Sequence, residues 1–315
     1  MNQFTVSSSP HITANRTTHT VMRDVLIALM PAVVAAIVIF GWYSLALIAV
    51  CVAAAVLSEF IFNLIMKKEQ TIYDLSAAVT GLILALNLPT SVALWQGALG
   101  SAIAIVIVKC LFGGIGQNFA NPAIVARIVL FLSFSDSMAK HASPTLTFVD
   151  SVSGATPLAV LGGAEGELPS LTQLIFGLYG GAIGETCSVA LIIGLIYLLC
   201  RKVITWHIPI SFIVTVAILT LGANPLYQVL SGGLLIGAIF MATDYVTSPA
   251  TPWGKIIFGI GCGLITVVIR IFGNYPEGVS FAILLMNILT PYIEKWTVRR
   301  PLGSFSAKKK GGETK

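Results

Sequence analysis

The chain has 315 residues, 56% of them hydrophobic and 10% charged, with a mean hydropathy of +0.91. So few polar groups cannot coat a water-soluble surface, and the composition predicts an integral membrane protein. The net charge of +5 comes from dispersed basic residues whose one run is Lys308, Lys309 and Lys310; this reads as a solvated tail and argues against a nucleic-acid partner.

Residues 1–20 form a polar arm without the apolar core and small-residue cleavage site of a secretory signal, so no cleavable signal is expected. Apolar runs suited to spanning a bilayer follow at Val21 to Phe40, Tyr43 to Met66, Leu75 to Leu88, Val92 to Phe112 and Pro122 to Phe134. The third and fifth are short, as discontinuous helices around a central site often are. Residues 135–170 make one long polar loop. Beyond it come Leu171 to Cys200, Ile208 to Leu221, Leu226 to Ala242, Lys255 to Phe272 and Val279 to Trp296, then a basic tail over 297–315. The expectation is an all-α membrane protein of about ten transmembrane helices, in two membrane halves of five (21–134 and 171–296). Two five-helix repeats are compatible with this pattern but not established by it. The two most alike loops, Gly113 to Pro122 and Thr243 to Pro252, fall on one face, whereas inverted repeats put equivalents on opposite faces.

Ten spans place both termini on one side, and charge tests that arrangement. Arg16, Arg23, Lys67, Lys68, Lys109, Arg201, Lys202, Lys255, Lys295, Arg299 and Arg300 all lie at ends that a cytoplasmic N-terminus makes cytoplasmic. The long loop carries Asp136, Asp150, Glu165 and Glu167 against Lys140, which puts it outside.

That loop contains Asp150-Ser-Val-Ser153-Gly154-Ala155-Thr156, followed by Pro157. Pro157 suits the first position of a helix, which makes Thr156 its N-cap. A hydroxyl facing unpaired N–H groups serves as an ordinary cap or as the anchor for a phosphate ester, and the local residues leave both open. Gly113, Gly114 and Gly116 with Asn118 and Asn121 form either a tight turn with Asn capping or a cradle for the carbonyls and nitrogens of a heterocycle. Asp244 sets a carboxylate at the inner boundary, as a ligand contact or an ordinary interfacial residue.

Glu59, Arg127 and Glu185 lie inside apolar segments, where a charge costs about 2.5 to 3.5 kcal/mol on insertion scales. They mark an ion path or a structural Glu–Arg pair, while Arg270 near a helix end snorkels. Cys51, Cys110, Cys187, Cys200 and Cys262 contain no Cys-x-x-Cys pair, and His11, His19, His141 and His207 have no metal-like spacing, so no metal site is expected.

Asp150 to Thr156 matches the Asp-x-x-Ser/Thr-Gly-Ala-Thr flavin-attachment signature. With the segment Gly113 to Ala123, Gly184-Glu-Thr186 and Ala242-Thr-Asp244, the chain resembles the RnfD/NqrB family of membrane flavoprotein subunits over nearly its whole length, and its short N-terminal arm is similar to the RnfD members. The resemblance implies a urea-transporter-like fold and FMN joined to Thr156 by a phosphoester. It implies that a flavin transferase recognises Asp150, Ser153, Gly154 and Ala155 outside the cytoplasmic membrane. It also associates Asn118, Asn121 and Asp244 with a second, noncovalent flavin, riboflavin; Tyr245 stands where the family commonly has proline. The implied activity is electron transfer within an ion-translocating ferredoxin:NAD+ oxidoreductase that exports Na+ or H+, with ferredoxin and NAD bound by other subunits. A subunit of a Na+-pumping NADH:quinone oxidoreductase is the nearest alternative; a flavin-free channel or solute transporter is the alternative of another class.

Overall fold

In the computed structural model, residues 17–141, 144, 156–165, 167–273 and 278–298 are described, and among them the secondary structure is helical with no strand. α1 (Thr18–Phe40) begins where Thr17 Oγ1 accepts the Thr20 N–H at 3.3 Å, and stops at Gly41, whose φ of 76° few other residues adopt cheaply. α2 (Trp42–Ile65) starts at once, and Ser44 Oγ fixes the hairpin by donating to Ala36 O at 3.1 Å. Outward faces stay apolar at helical spacing: Ile27, Met30, Val34 and Val38 on α1, then Leu57, Ile61 and Leu64 on α2. In water such stripes would be an aggregation hazard; in lipid they are the expected surface. α1, α2 and α13 (Pro252–Phe272) are long and apolar enough to cross a membrane.

All five tryptophans lie where a membrane-surface belt would be expected. Trp42, Trp95, Trp206, Trp253 and Trp296 are exposed and sit at or beside helix ends, as amphipathic rings do at headgroup depth.

The remaining elements are α3 (Ser76–Leu86), α4 (Leu94–Cys110), α5 (Pro122–Ser133), α6 (Ser135–Ala139), α7 (Pro157–Leu161), α8 (Leu171–Phe176), α9 (Ser188–Cys200), α10 (His207–Leu219), α11 (Pro225–Leu230), α12 (Leu234–Ile236, continuing as a π-helical turn Gly237–Met241) and α14 (Val279–Thr297). The last seven residues of α4, Ala104–Cys110, are also π-helical. Helix occurs in each of the ten apolar stretches, but not always unbroken. The sixth is interrupted between α8 and α9, where Gly177 has φ 85° and the glycine-rich segment 180–184 follows. The eighth, expected as one helix, breaks between α11 and α12 at Ser231-Gly232-Gly233, with both glycines at φ 68°. The described residues of the polar loop include two short helices, α6 and α7.

α2 packs on α3 and α4, and α10 and α14 pack on α13; α1 against α9 and α5 against α14 join these groups. The α10–α13 contact needs small residues. A Cβ added at Gly259 would fall 1.9 Å from Ser211 Oγ, and one at Gly263, a turn later, 2.7 Å from Thr215 Cβ. Helices in lipid associate through such close backbone approach, because apolar side chains gain little by leaving lipid for one another.

Candidate cofactor cavity and buried charges

Two helices end in π turns that face a common cavity. In α4 the N–H of Leu111 donates to Val106 O at 3.0 Å and that of Gly114 to Lys109 O at 2.9 Å; after α12, Ala242 N–H donates to Gly237 O at 2.8 Å. Each bond spans five residues, the wider turn that recurs at functional sites. Between them lies a cavity of about 340 Å³. Its walls are largely apolar, with Val21, Met22 and Val25 of α1, Val79 and Ile83 of α3, and Phe240. Lys109 and Asp244 are the basic and the acidic side chain among the described residues that line it.

Asn118, Asn121 and Asp244 are brought together at this cavity, but they do different work. Asn121 Oδ1 caps α5 by accepting the Ala123 N–H at 3.0 Å, and its Nδ2 donates to Met241 O at 3.1 Å. Its amide therefore ties the two loops together. Asn287, with its amide nitrogen donating to Thr247 O at 3.2 Å, accepts the Asn121 N–H at 3.2 Å. Asn118 Nδ2 donates to Ala120 O at 3.0 Å, and its side chain also reaches Asp244. Thr247 Oγ1 donates to Asp244 Oδ2 at 3.1 Å. Burial pushes the Asp244 carboxyl above its ordinary range, against hydrogen bonds from Thr247, the Val246 backbone, Asn118 and the Tyr245 backbone. Tyr245, in place of the expected proline, donates its hydroxyl to Val203 O and so anchors the loop to the start of the α10 approach.

Lys109 lies at the end of α4, as the charge reading has it, but its side chain is not at a surface. Expected at a cytoplasmic helix end, it is 4% exposed. Its Nζ lies 2.7 Å from Glu59 Oε1 and 2.6 Å from Ser76 Oγ. Glu59 Oε1 also accepts from Thr71 Oγ1 at 2.6 Å, and Thr71 from Asn63 Nδ2 at 3.1 Å. The buried partner of Glu59 is thus a lysine fifty residues away in sequence, where a Glu–Arg pair was one expectation.

Glu185 occupies a different place, in the break between α8 and α9. Its Oε1 accepts the Ala182 N–H at 3.1 Å, and a Cβ at Gly233 would lie 2.8 Å from its Oε2 and 3.7 Å from Arg127 Nη1. Arg127 Nη1 donates to Ser280 Oγ at 2.9 Å. Two interrupted helices and two buried charges therefore converge at Gly233. Arg270 is no simple snorkelling residue: Nη1 donates to Gln228 O at 2.6 Å, and Nη2 to Ser231 O and Gly232 O at 3.3 Å each, satisfying the carbonyls left open where α11 ends. Asp24 was not singled out from the sequence. Although it sits one turn into an apolar helix, it is buried and accepts from Tyr197 Oη and Arg201 Nε, both at 3.2 Å, joining α1 to α9.

Thr156 caps α7: its Oγ1 accepts the Ala159 N–H at 3.2 Å. Leu158, two residues on, packs over the second break, its Cδ1 filling the space a Cβ at Gly232 would need. Asp150, Ser153, Gly154 and Ala155 lie outside the described residues, as do most of the N-terminal arm and nearly all of the basic tail.

Fold and site together define a helical membrane protein with interrupted helices, an apolar cavity carrying a few convergent polar groups, and charges buried against partners. The sequence model of the NQR2, RnfD, RnfE family matches residues 5–303, and the chain belongs to that family. It is 49% identical over 316 aligned residues to the subunit lettered D of the Na(+)-translocating ferredoxin:NAD(+) oxidoreductase complex of Acetobacterium woodii, covering 98% of this chain and 99% of that one. Identity is 40% to the subunit of the same letter in the proton-translocating ferredoxin:NAD(+) oxidoreductase complex of Clostridium ljungdahlii, over 94% and 95% of the two chains. It is 35% to the like-lettered subunit of the ion-translocating oxidoreductase complex of Escherichia coli O157:H7, over 95% and 98%. These relatives set the chain among the RnfD members.

Proposed function

We propose that this chain is a membrane electron-transfer subunit of an ion-translocating ferredoxin:NAD+ oxidoreductase, with FMN esterified to Thr156 and riboflavin held in the cavity between the π turns. The observation that carries the second site is the meeting of Asn118 and Asp244, from loops far apart in sequence, on one cavity of about 340 Å³. That volume is in the range of small-molecule sites, and the polar groups suit a ring with carbonyls and N–H groups: Lys109 donates, and Asn118, whose amide N–H groups are spent on Ala120 O and Asp244, offers its amide oxygen as acceptor. At Thr156 the cap is compatible with attachment, because an ester oxygen keeps a lone pair for the Ala159 N–H.

When bound, a flavin supplies the electron chemistry. The chain's residues do the holding: α1 and α3 side chains keep water from the ring, the Asn121–Met241 tie fixes the two loops, and no side chain acts as nucleophile. Moving one charge against about 200 mV takes roughly 4.6 kcal/mol. A two-electron drop of about 100 mV between carriers suffices, at about 1.4 kcal/mol per 30 mV. The Acetobacterium and Clostridium relatives differ in the ion their names carry, so Na+ and H+ both stand for this chain. The reading includes ten spans in two urea-transporter-like repeats in the cell membrane. Both termini are cytoplasmic and the attachment loop is outside, where a transferase reaches it. Ferredoxin and NAD are reached through the other subunits.

A denaturing gel under ultraviolet light tests the covalent site: wild type made with its flavin transferase fluoresces, and Thr156→Ala is dark. A dark wild-type band overturns the flavoprotein reading and leaves the channel or solute transporter. Reduction of quinone instead of NAD+ by the purified complex would place the chain in the quinone-reducing class. Passage of the ion by Glu59, Glu185 or Asp244 is a separate proposal, and ion-to-electron stoichiometry in each neutralised variant decides it.

A further inference from the structure

We propose that Lys109 is the cationic residue that positions the cavity ligand and sets its preference for accepting electrons, an inference that rests on the cavity holding an electron-accepting heterocycle. Three observations point there. Lys109 sits in the π-helical end of α4 and, with its partner Ser76, forms part of the cavity wall. An ammonium has three donors, and its bonds to Glu59 and Ser76 account for two among the described residues. Glu59 is held in turn by Thr71 and lies 1% exposed, so the pair is a rigid support rather than a surface bridge.

The chemistry follows from the placement. A ring that accepts electrons gains negative charge on its carbonyl edge, and a fixed positive group with an unspent N–H beside that edge favours the electron-rich form. Asp244, whose acceptor positions are taken by Thr247, Asn118 and the backbone, holds the Asn118 amide by its N–H group and leaves the Asn118 amide oxygen as the acceptor for a ring N–H. The cavity therefore discriminates by polarity: it takes a planar heterocycle with an acceptor edge and a donor edge, and disfavours a quinone, which has carbonyls but no ring N–H for the Asn118 amide oxygen.

Neutralising Lys109 alone would strand Glu59, so the test is the double variant Glu59→Gln/Lys109→Gln in the whole complex, with Lys109→Arg as the charge-retaining companion. Folding is read from the Thr156 fluorescent band, and the noncovalent flavin from its yield after acid extraction and its midpoint potential by redox titration. The expected result is a folded double variant with at least a tenfold lower preference for the reduced flavin, about 30 mV downward for a two-electron couple, and a potential near wild type in Lys109→Arg. An unchanged potential in the folded double variant overturns the role of Lys109 alone. Absence of acid-extractable flavin from the wild-type complex overturns the cavity reading beneath it. If the double variant loses the band, Ser76→Ala decides: freeing one more lysine N–H should raise the potential, and no shift refutes the proposal.

Discussion

Replacing Asn121 separates a structural tie from a ligand contact. Asn121→Ala removes the cap on Ala123 N–H, typically worth about 1 kcal/mol, and leaves buried Met241 O without its amide donor, at about 1 to 3 kcal/mol. The expected loss is about 2 to 4 kcal/mol. Asn121→Ser keeps an oxygen at the cap but is too short for Met241 O, so it should recover about 1 kcal/mol of that loss. Asn118→Ala, whose amide reaches the Ala120 carbonyl and Asp244, should cost about 1 kcal/mol or less while releasing more of the noncovalent flavin. Equilibrium unfolding of the detergent-solubilised chain, followed by far-ultraviolet circular dichroism before flavin is added, gives the stability order; extractable flavin gives the other. Asn121→Ala within about 0.5 kcal/mol of wild type, or no better off as Ser, would refute the tie.

Gly259→Ala should destabilise by about 1 to 3 kcal/mol, because its methyl group enters Ser211 Oγ, and Ser211→Gly should restore part of that. Gly222→Ala, with no atom within 4 Å of the added carbon, is the neutral control. For Asp244 the folded-state value is raised, so its favourable contribution is complete below the ordinary carboxylate value of about 3.9 and is lost as pH rises through the raised value. Asp244→Asn should therefore raise the unfolding temperature of the flavin-free protein near neutral pH, with the gain shrinking as pH falls toward about 4. A gain that is constant with pH would show that burial of the charge is not its cause.

Continuous apolar runs made α1, α2, α13 and α14 legible to within about three residues, because a helix that faces protein on one side and lipid on the other is apolar all round, a pattern that needs no long-range information. The break in the eighth stretch was hidden, since Gly232 and Gly233 read as ordinary membrane-helix glycines until Arg270, some forty residues on, is seen to satisfy the exposed carbonyls. Asn121 was legible as a cap and misleading as a free amide. Its partner Met241 O lies 120 residues away, a distance that no local pattern carries. Lys109 was the hardest. A lysine ending an apolar run has the pattern of an interfacial charge, and its burial depends on a π turn and on Glu59 in another helix.

The same pairing bears on how an ion would cross. A carboxylate that passes cations must be able to exchange them, but Glu59 Oε1 holds an ammonium at 2.7 Å, so an incoming Na+ or proton is left the buried Oε2, beside a tethered cation that repels it. Removing one member of a buried pair costs about 3 to 5 kcal/mol by leaving the other uncompensated. We therefore expect Glu59→Gln to lower stability by that order and Glu59→Gln/Lys109→Gln to lower it by less. In both, reconstituted complex should export the same number of ions per electron, measured as ion uptake into inverted vesicles against NAD+ reduced. A stoichiometry that falls in the stable double variant would place Glu59 in the path and refute the locked-pair argument. Glu185, between the two helix breaks, would then be the next carboxylate to neutralise.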